Sequence, residues 1–458
     1  MGEAVMVEKR KDIIEHSPAD EVVLEEKPAW LKKRLEWFSE LKFGFFIHWG
    51  IYSQWDCVES WPLVKEDTWA RPDSLKCWTE RGKDFERFTR DYRALNATFN
   101  PVDFNSELWA EIAAAAGMKY VTFTTKHHDG FCMWDTKTTD YRITHPSCPF
   151  HKNRRADIVR EVFDAFRARG LGISCYFSKS DWHTPYYWKP GVPAKTRNPN
   201  YDRYEEPKRW ENFVRYVHSQ IQELMSGYGK IDALWLDGGQ VRPPEQDIRM
   251  DEIAAMARCY QPGLIMADRT VGGEFEDIIT PEQLIPEKSM NAVWESCLTM
   301  GNSWKYVPGD RYKTVDRLIR MLVEVVSKGG NLLLGTGPDS MGNFADEAVS
   351  RLRDMGKWMA VNGEAIYSSS PVAPYREGET FFTQKDGHIY AIVFSEGGLP
   401  AEVTLKELQP AGNVPVAMLG LKESLKTEKK EGYTRIFIPV AAAKTLPSGP
   451  CTIKFMCG

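Results

Sequence analysis

The chain has 458 residues, more than one ordinary core supports, since single domains split beyond roughly 250–300 residues. That implies two domains, or one large barrel with an accessory module. A net charge of −5 and a pI near 6.1 exclude the basic stripe of a general nucleic-acid binder, and no apolar run reaches the length of a membrane span. Neither nucleic acid nor a membrane is therefore expected as a partner. The N-terminus, MGEAVMVEKRKDIIEHSPADEVVLEEKPAW, has no apolar stretch long enough for a signal peptide. As written the chain is expected in the cytoplasm, or exported if a leader has been removed from it. Nine cysteines without CxxC pairs, with Cys132, Cys175 and Cys297 inside apolar runs, read as reduced, buried thiols.

From residue 41 onward, short apolar runs alternate with longer amphipathic stretches. FGFFIHWG (43–50) and KYVTFTTKH (119–127) predict strands, the second preceded by the Ala-rich helical pattern SELWAEIAAAAGM, which ends at Gly117. DIVREVFDAFRARG then precedes GISCYFS (172–178), and WENFVRYVHSQIQELMSGYG precedes IDALWLDGG (231–239). DEIAAMARCYQPG precedes LIMADR (264–269), AVWESC (292–297) follows, and TVDRLIRMLVEVVSKGG leads into NLLLGTG (331–337). Apolar strands alternating with helices predict a parallel sheet covered by helices, and at least seven of them favour a (β/α)8-like (TIM-type) barrel. No GxGxxG follows an early strand, which removes the main signal of a dinucleotide fold. After residue 369 the pattern becomes short β runs separated by Gly, Pro and charged turns. This predicts a catalytic barrel with an N-terminal extension over 1–369 and a small antiparallel β-sandwich over 370–458. The segment 179–210 is a long aromatic insertion, expected to wall a cleft.

His48, His127, Asp237, Arg269 and Glu295 are all expected at or near the C-terminal ends of their strands, the face on which such barrels build active sites. Asp237 follows a mostly apolar run, and a carboxylate there is costly unless donors or a cation stabilise it. The plainer reading is an Asp that begins a loop as a helix cap. Retaining glycosidases need two carboxyls about 5–5.5 Å apart, and Glu295, in the apolar setting of AVWESC, is the expected acid/base. Glu287 is a rival that reads as a solvated loop residue between Pro286 and Lys288. The adjacent pair His127 and His128 in KHHDGF suggests metal ligands or partners for hydroxyls. Neighbouring strand positions face opposite ways, and no HExxH or Cys/His set accompanies them, which weighs against a metal. His48 has the same ambiguity, with a core histidine as its plainer reading. Arg269 either forms a structural pair or keeps the nucleophile ionised.

FGFFIHWGIYS, YVTFTTKHHDGFCMWDTKTTDY, LWLDGG, WESCLTMGNSWKY and NLLLGTGPDSMGNF together resemble the α-L-fucosidases of glycoside hydrolase family 29, from about residue 40 to 368. The resemblance implies a retaining exo-α-L-fucosidase acting on fucosylated oligosaccharides or glycoconjugates, with no cofactor and no metal. It makes Asp237 the nucleophile, places His48, His127 and His128 on the fucose hydroxyls, and sets Tyr176, Trp235 and Arg269 around the sugar and the nucleophile. Trp134 or Trp235 would offer a flat ring to the methyl and apolar face. Many members carry a Glu–Trp pair after the HWG strand; here Ser60 separates Glu59 from Trp61, which looks like the subgroup that prefers α-1,3- or α-1,4-linked fucose on branched, Lewis-type glycans. The competing readings are a retaining hydrolase of another hexose (α-galactosidase-like), a non-catalytic sugar-binding protein, and a metal-dependent hydrolase using His127, His128 and Asp237. Composition and motifs leave the oligomeric state open.

Overall fold

A computed structural model describes residues 27–412, 414–440, 442 and 446–457. The N-terminal stretch read for a leader lies almost wholly outside them. In chain order the elements are helix α1 (Ala29–Leu41), strand β1 (Phe43–Ile47), helices α2 (Lys76–Thr79), α3 (Phe85–Arg93) and α4 (Ser106–Ala115), then β2 (Tyr120–Lys126) and α5 (Ile158–Ala168). They continue with β3 (Gly172–Ser178), α6 (Pro207–Gly227), β4 (Ala233–Asp237), α7 (Met250–Tyr260), β5 (Ile265–Asp268), β6 (Glu295–Thr299), α8 (Val315–Ser327), β7 (Asn331–Thr336) and α9 (Asp346–Asn362). Several helices start where a side chain satisfies a free N–H group: Asn105 caps α4, Asp157 caps α5 and Thr314 caps α8. In α5 the buried residues Ile158, Val162, Phe163 and Phe166 share the face turned to the sheet.

The seven strands form one parallel sheet in the order β5-β4-β3-β2-β1-β7-β6. Between its edges runs the irregular segment 275–283. On one side it bonds to β5, through Asp277 N to Met266 O and Asp268 N to Phe275 O. On the other it bonds to β6, through Glu295 N to Ile279 O and Cys297 N to Pro281 O. This segment takes the eighth place of the expected barrel without forming a regular strand. Pro281 within it has no N–H to give to a ladder.

Residues along each strand alternate between two cores. Phe46, Tyr120, Tyr176, Trp235, Ala267, Cys297 and Leu333 point inward, and Leu31, Leu35 and Phe38 of α1 join them from below. Phe45, Val121, Phe177, Leu236, Met266 and Leu334 point outward to the helices. Helix α1 therefore plugs the N-terminal end of the barrel, and the opposite end is left for a site.

The antiparallel part follows with β8 (Ser370–Glu377), β9 (Thr380–Lys385), β10 (His388–Val393), β11 (Glu402–Leu405), β12 (Ala417–Met418), β13 (Lys426–Lys430), β14 (Tyr433–Phe437) and β15 (Cys451–Phe455). Sheets β12-β15-β10-β9-β8 and β11-β14-β13 close over a core that includes Phe382, Ile389, Val403, Ile436 and Ile453. Asp386 and Gly387, both at positive φ, make the tight β9–β10 hairpin. Among the described residues no helix is long and apolar enough to cross a membrane.

Gly44 shows how tightly the barrel interior is filled: a Cβ there would lie 2.3 Å from the Tyr120 ring. Gly44→Ala is expected to cost about 1–3 kcal/mol, read as a lower urea midpoint. An unchanged midpoint would mean that the interior is loosely packed.

Candidate active site

The mouth of the barrel is assembled from the residues that end its strands. Asp237 closes β4 and is held by donors on both oxygens. Oδ2 accepts from the Tyr176 hydroxyl at 2.7 Å; Oδ1 accepts from Gly238 N at 2.8 Å and from Arg269 Nη1 at 3.1 Å. Burial alone would push this carboxyl up. Arg269, with the Tyr176 hydroxyl, instead holds it well below the usual carboxylate range, so it is ionised at neutral pH. The Arg269 guanidinium lies 4.3 Å over the Trp235 ring, and that ring stacks on Tyr176 at 5.3 Å.

The three histidines converge on the same mouth. His48 follows β1, its ring 5.7 Å from Trp304 and 5.4 Å from His127. Burial pushes His48 down to about 3 and His128 down to about 4, and lowers His127 as well, so all three rings are neutral at neutral pH. Ser60 Oγ, which accepts from Asp129 N at 3.0 Å, lies 2.6 Å from His127 Nδ1, and Ser178 Oγ and Ser180 Oγ lie 2.6 and 3.0 Å from His128 Nδ1. The serines thus orient both rings through Nδ1, and a neutral imidazole serves a sugar hydroxyl as donor or acceptor. His128 Nε2 lies 3.7 Å from Asp237 Oδ2.

The walls come from two loops that grip one another. Trp61 packs against His128 at 4.9 Å, and Arg197 from the 179–210 insertion lies 4.3 Å over the Trp61 ring while pairing with Asp67. Trp182, fully buried, packs between His128 and Trp188. Its neighbour Asp181 anchors the start of the insertion, bonded by Lys126, Tyr216 and the backbone N–H groups of His183 and Thr184. Glu59 is buried below Trp61, close enough to Tyr52 and Lys305 to influence both.

Two expected site residues lie elsewhere. Trp134 is fully buried on the outer side of the barrel, where its Nε1 donates to Glu223 of α6 at 3.2 Å and its ring faces the outward Phe177. It offers no face to a sugar. Glu295 was expected at the C-terminal end of its strand and is instead the first residue of β6, paired in register with Asn331, the first of β7. It lies inside the barrel below Trp235, 1% exposed, at the end plugged by α1. A side chain there sits beneath the floor of the mouth.

The second acid that the structure brings to Asp237 is Glu282. Arg269 bridges the two carboxylates, Nη1 to Asp237 and Nη2 to Glu282 Oε2 at 2.8 Å. Glu282 belongs to the irregular segment, and its side chain remains 34% exposed. Sequence reasoning also passed over Ser60, Ser178, Trp182 and Trp304. Glu287, the rival candidate, is exposed.

His127, His128 and Asp237 have donor atoms within 4.8 Å of one another, the one such cluster among the described residues that could hold a cation. A dication would sit beside the Arg269 guanidinium, whose positive charge already pairs with Asp237. The cluster suits hydroxyl groups better than a metal.

Comparison with known proteins decides the family. The alpha-L-fucosidase family profile matches residues 15–364. The chain belongs to this family. Its activity is that of an α-L-fucosidase, a glycoside hydrolase. The mouse tissue alpha-L-fucosidase is 30% identical over 424 residues, covering 85% of this chain and 84% of that one. Alpha-L-fucosidase isoenzyme 1 from Paenibacillus thiaminolyticus matches with a TM-score of 0.75 at 30% identity, over 94% of this chain and all of that one. The Thermotoga maritima alpha-fucosidase, solved with fucose, matches with a TM-score of 0.73 at 27% identity, over 93% and 98%.

For this fucosidase, Trp134→Phe is expected to lower the melting temperature while leaving fucose affinity unchanged within about twofold, measured by calorimetry. A selective loss of fucose affinity would return Trp134 to the pocket.

Proposed function

We propose that the protein removes terminal α-L-fucose from oligosaccharides with net retention, using Asp237 as nucleophile and Glu282 as proton donor and then base. The observation that carries this reading is the single guanidinium of Arg269 bridging the two carboxylates at the mouth. A pair so bridged stays close together, as the retaining geometry of about 5–5.5 Å requires. Asp237 is ionised and fixed by three donors. Glu282 stands toward solvent, where an aglycone departs.

In the first step an Asp237 oxygen bonds to the anomeric carbon as the glycosidic C–O bond breaks, and Glu282 gives its proton to the departing oxygen. In the second, Glu282 takes a proton from water, the hydroxide oxygen bonds to the same carbon, and the ester to Asp237 breaks. His48, His127 and His128 hold the hydroxyls, and Trp235 lies beneath the ring. The scheme needs no cofactor. That the Thermotoga maritima relative was solved in complex with fucose supports fucose as the sugar.

The linkage reading, α-1,3 or α-1,4 on branched glycans, rests on the Glu59–Ser60–Trp61 spacing, which sets Trp61 against His128 at the rim. Faster fucose release from branched Lewis-type glycans than from simple aryl fucosides supports it, and the reverse order overturns it. The same assays with a chelator are expected to show unchanged rates; loss of activity would restore the metal reading of the histidines.

Asp237→Ala is expected to lower kcat by at least about 10⁴-fold with the fold intact by circular dichroism. Glu282→Ala is expected to lose about 10²–10⁴-fold, with azide restoring turnover of an activated fucoside. If Glu295→Ala shows the azide rescue and Glu282→Ala does not, the proton donor is Glu295, as the motif first suggested.

A further inference from the structure

At the end of β3 the chain turns its side chains alternately to the two faces of the sheet. Ser178 and Ser180 face the mouth, where their hydroxyls lie 2.6 and 3.0 Å from His128 Nδ1. Lys179 and Asp181 face the helices. Asp181 pairs with Lys126 at the end of β2 and accepts from Tyr216 of α6. Lys179 forms an ion pair with Asp268, the last residue of β5. Strand β4 lies between β3 and β5, so this second pair spans the strand that ends in Asp237. Its two side chains are 0% and 3% exposed, and among the described residues neither makes another hydrogen bond.

The backbone beside the pair grips the nucleophile's strand from both sides. Lys179 N donates to Asp237 O at 2.9 Å, and N of Arg269, the residue after Asp268, donates to Leu236 O at 3.2 Å. Neighbouring residues of a strand face opposite ways, so holding Asp268 on the outer side turns Arg269 inward, where its guanidinium meets Asp237 and Glu282. A buried ion pair stabilises a fold no better than apolar side chains of similar volume. What this one adds is direction: it keeps the ends of β3 and β5 at one separation.

We infer that Lys179 and Asp268 are positioning residues, a buried strap behind β4 that sets Arg269 against Asp237 without touching the sugar. Arg269 Nη1 and Asp237 Oδ1 are 3.1 Å apart, and a misplacement of about 1 Å at a reacting group can cost about 10²-fold in rate. The histidines are oriented separately, through Ser60, Ser178 and Ser180. Loosening the strap therefore slows the chemical step more than it weakens the hold on fucose. The effect on rate rests on the proposed role of Asp237; the tie between the strand ends does not.

The double variant Lys179→Met/Asp268→Leu supplies the test, because it exchanges the pair for apolar side chains and leaves neither charge stranded. It is expected to melt within about 5 °C of the wild type. Its fucose Kd by calorimetry should stay within about threefold, while kcat on a fucosylated glycan falls about tenfold or more. Lys179→Met and Asp268→Leu alone are each expected to melt lower than the double variant, since each leaves one charge buried and unpaired. If the double variant does not fold, Asp268→Asn, which keeps an acceptor for Lys179 and removes the charge, carries the same comparison. There kcat should fall about threefold or more at unchanged fucose affinity. A kcat within about twofold of the wild type, or equal losses of kcat and of fucose affinity, overturns the inference. An active Asp237→Ala enzyme would instead overturn the nucleophile assignment, and the melting temperatures would still report the tie.

Discussion

The structure turns on one ion pair at the edge of water. Asp237 ends a strand whose other residues are buried, and an isolated carboxylate in that position would take up a proton rather than stay charged. Arg269, one strand over, supplies the opposing charge, and the Tyr176 hydroxyl and Gly238 N–H fill the remaining lone pairs. Everything else at the mouth is arranged around keeping that pair in register. Trp235 supports the guanidinium from beneath, and the neutral imidazoles stand beside the carboxylate without cancelling its charge. Arg269 also reaches Glu282, so one cation bridges both acids of the proposed chemistry.

The barrel separates two kinds of buried acid. At the C-terminal end, Asp237 is kept ionised by direct pairing with a cation. One layer lower, Glu295 accepts from Tyr120 and Trp235, and burial raises its carboxyl to about 7. The same layering gives α1 its place: its apolar residues close the lower end and leave a single open mouth.

Much of this was legible because the chemistry of a parallel barrel writes itself as apolar runs of the right length. GISCYFS coincides with β3 to the residue, and Asp237, Arg269 and the histidines fall at strand ends as their position after those runs implies. Where the pattern failed, the reason is physical. The eighth place in the barrel is filled by FEDIITPEQ, a segment broken by Pro281 and without strand periodicity, so Glu282 stood outside any recognisable element. In AVWESC the apolar residues belong to the approach, and the strand itself begins at Glu295 and runs through Thr299; reading the run as the strand moved the acid from the bottom of the barrel to its top. Trp134 follows the histidine loop closely in sequence, yet the chain has already turned to the outer face, and sequence proximity says nothing about which side of a sheet a loop returns on. Ser60, Ser178 and Trp304 act through single contacts from loops and strand ends, and carry no signal beyond their residue type.

The central claim is that Asp237 forms a bond to the sugar. The most direct measurement is to incubate the protein with a slow fluorinated fucosyl donor, digest it, and locate the added mass by peptide sequencing. The account predicts one fucosyl adduct, on the peptide containing Asp237 and on that residue. A protein that turns over the donor with no adduct, or that carries the label on another carboxylate, would contradict it.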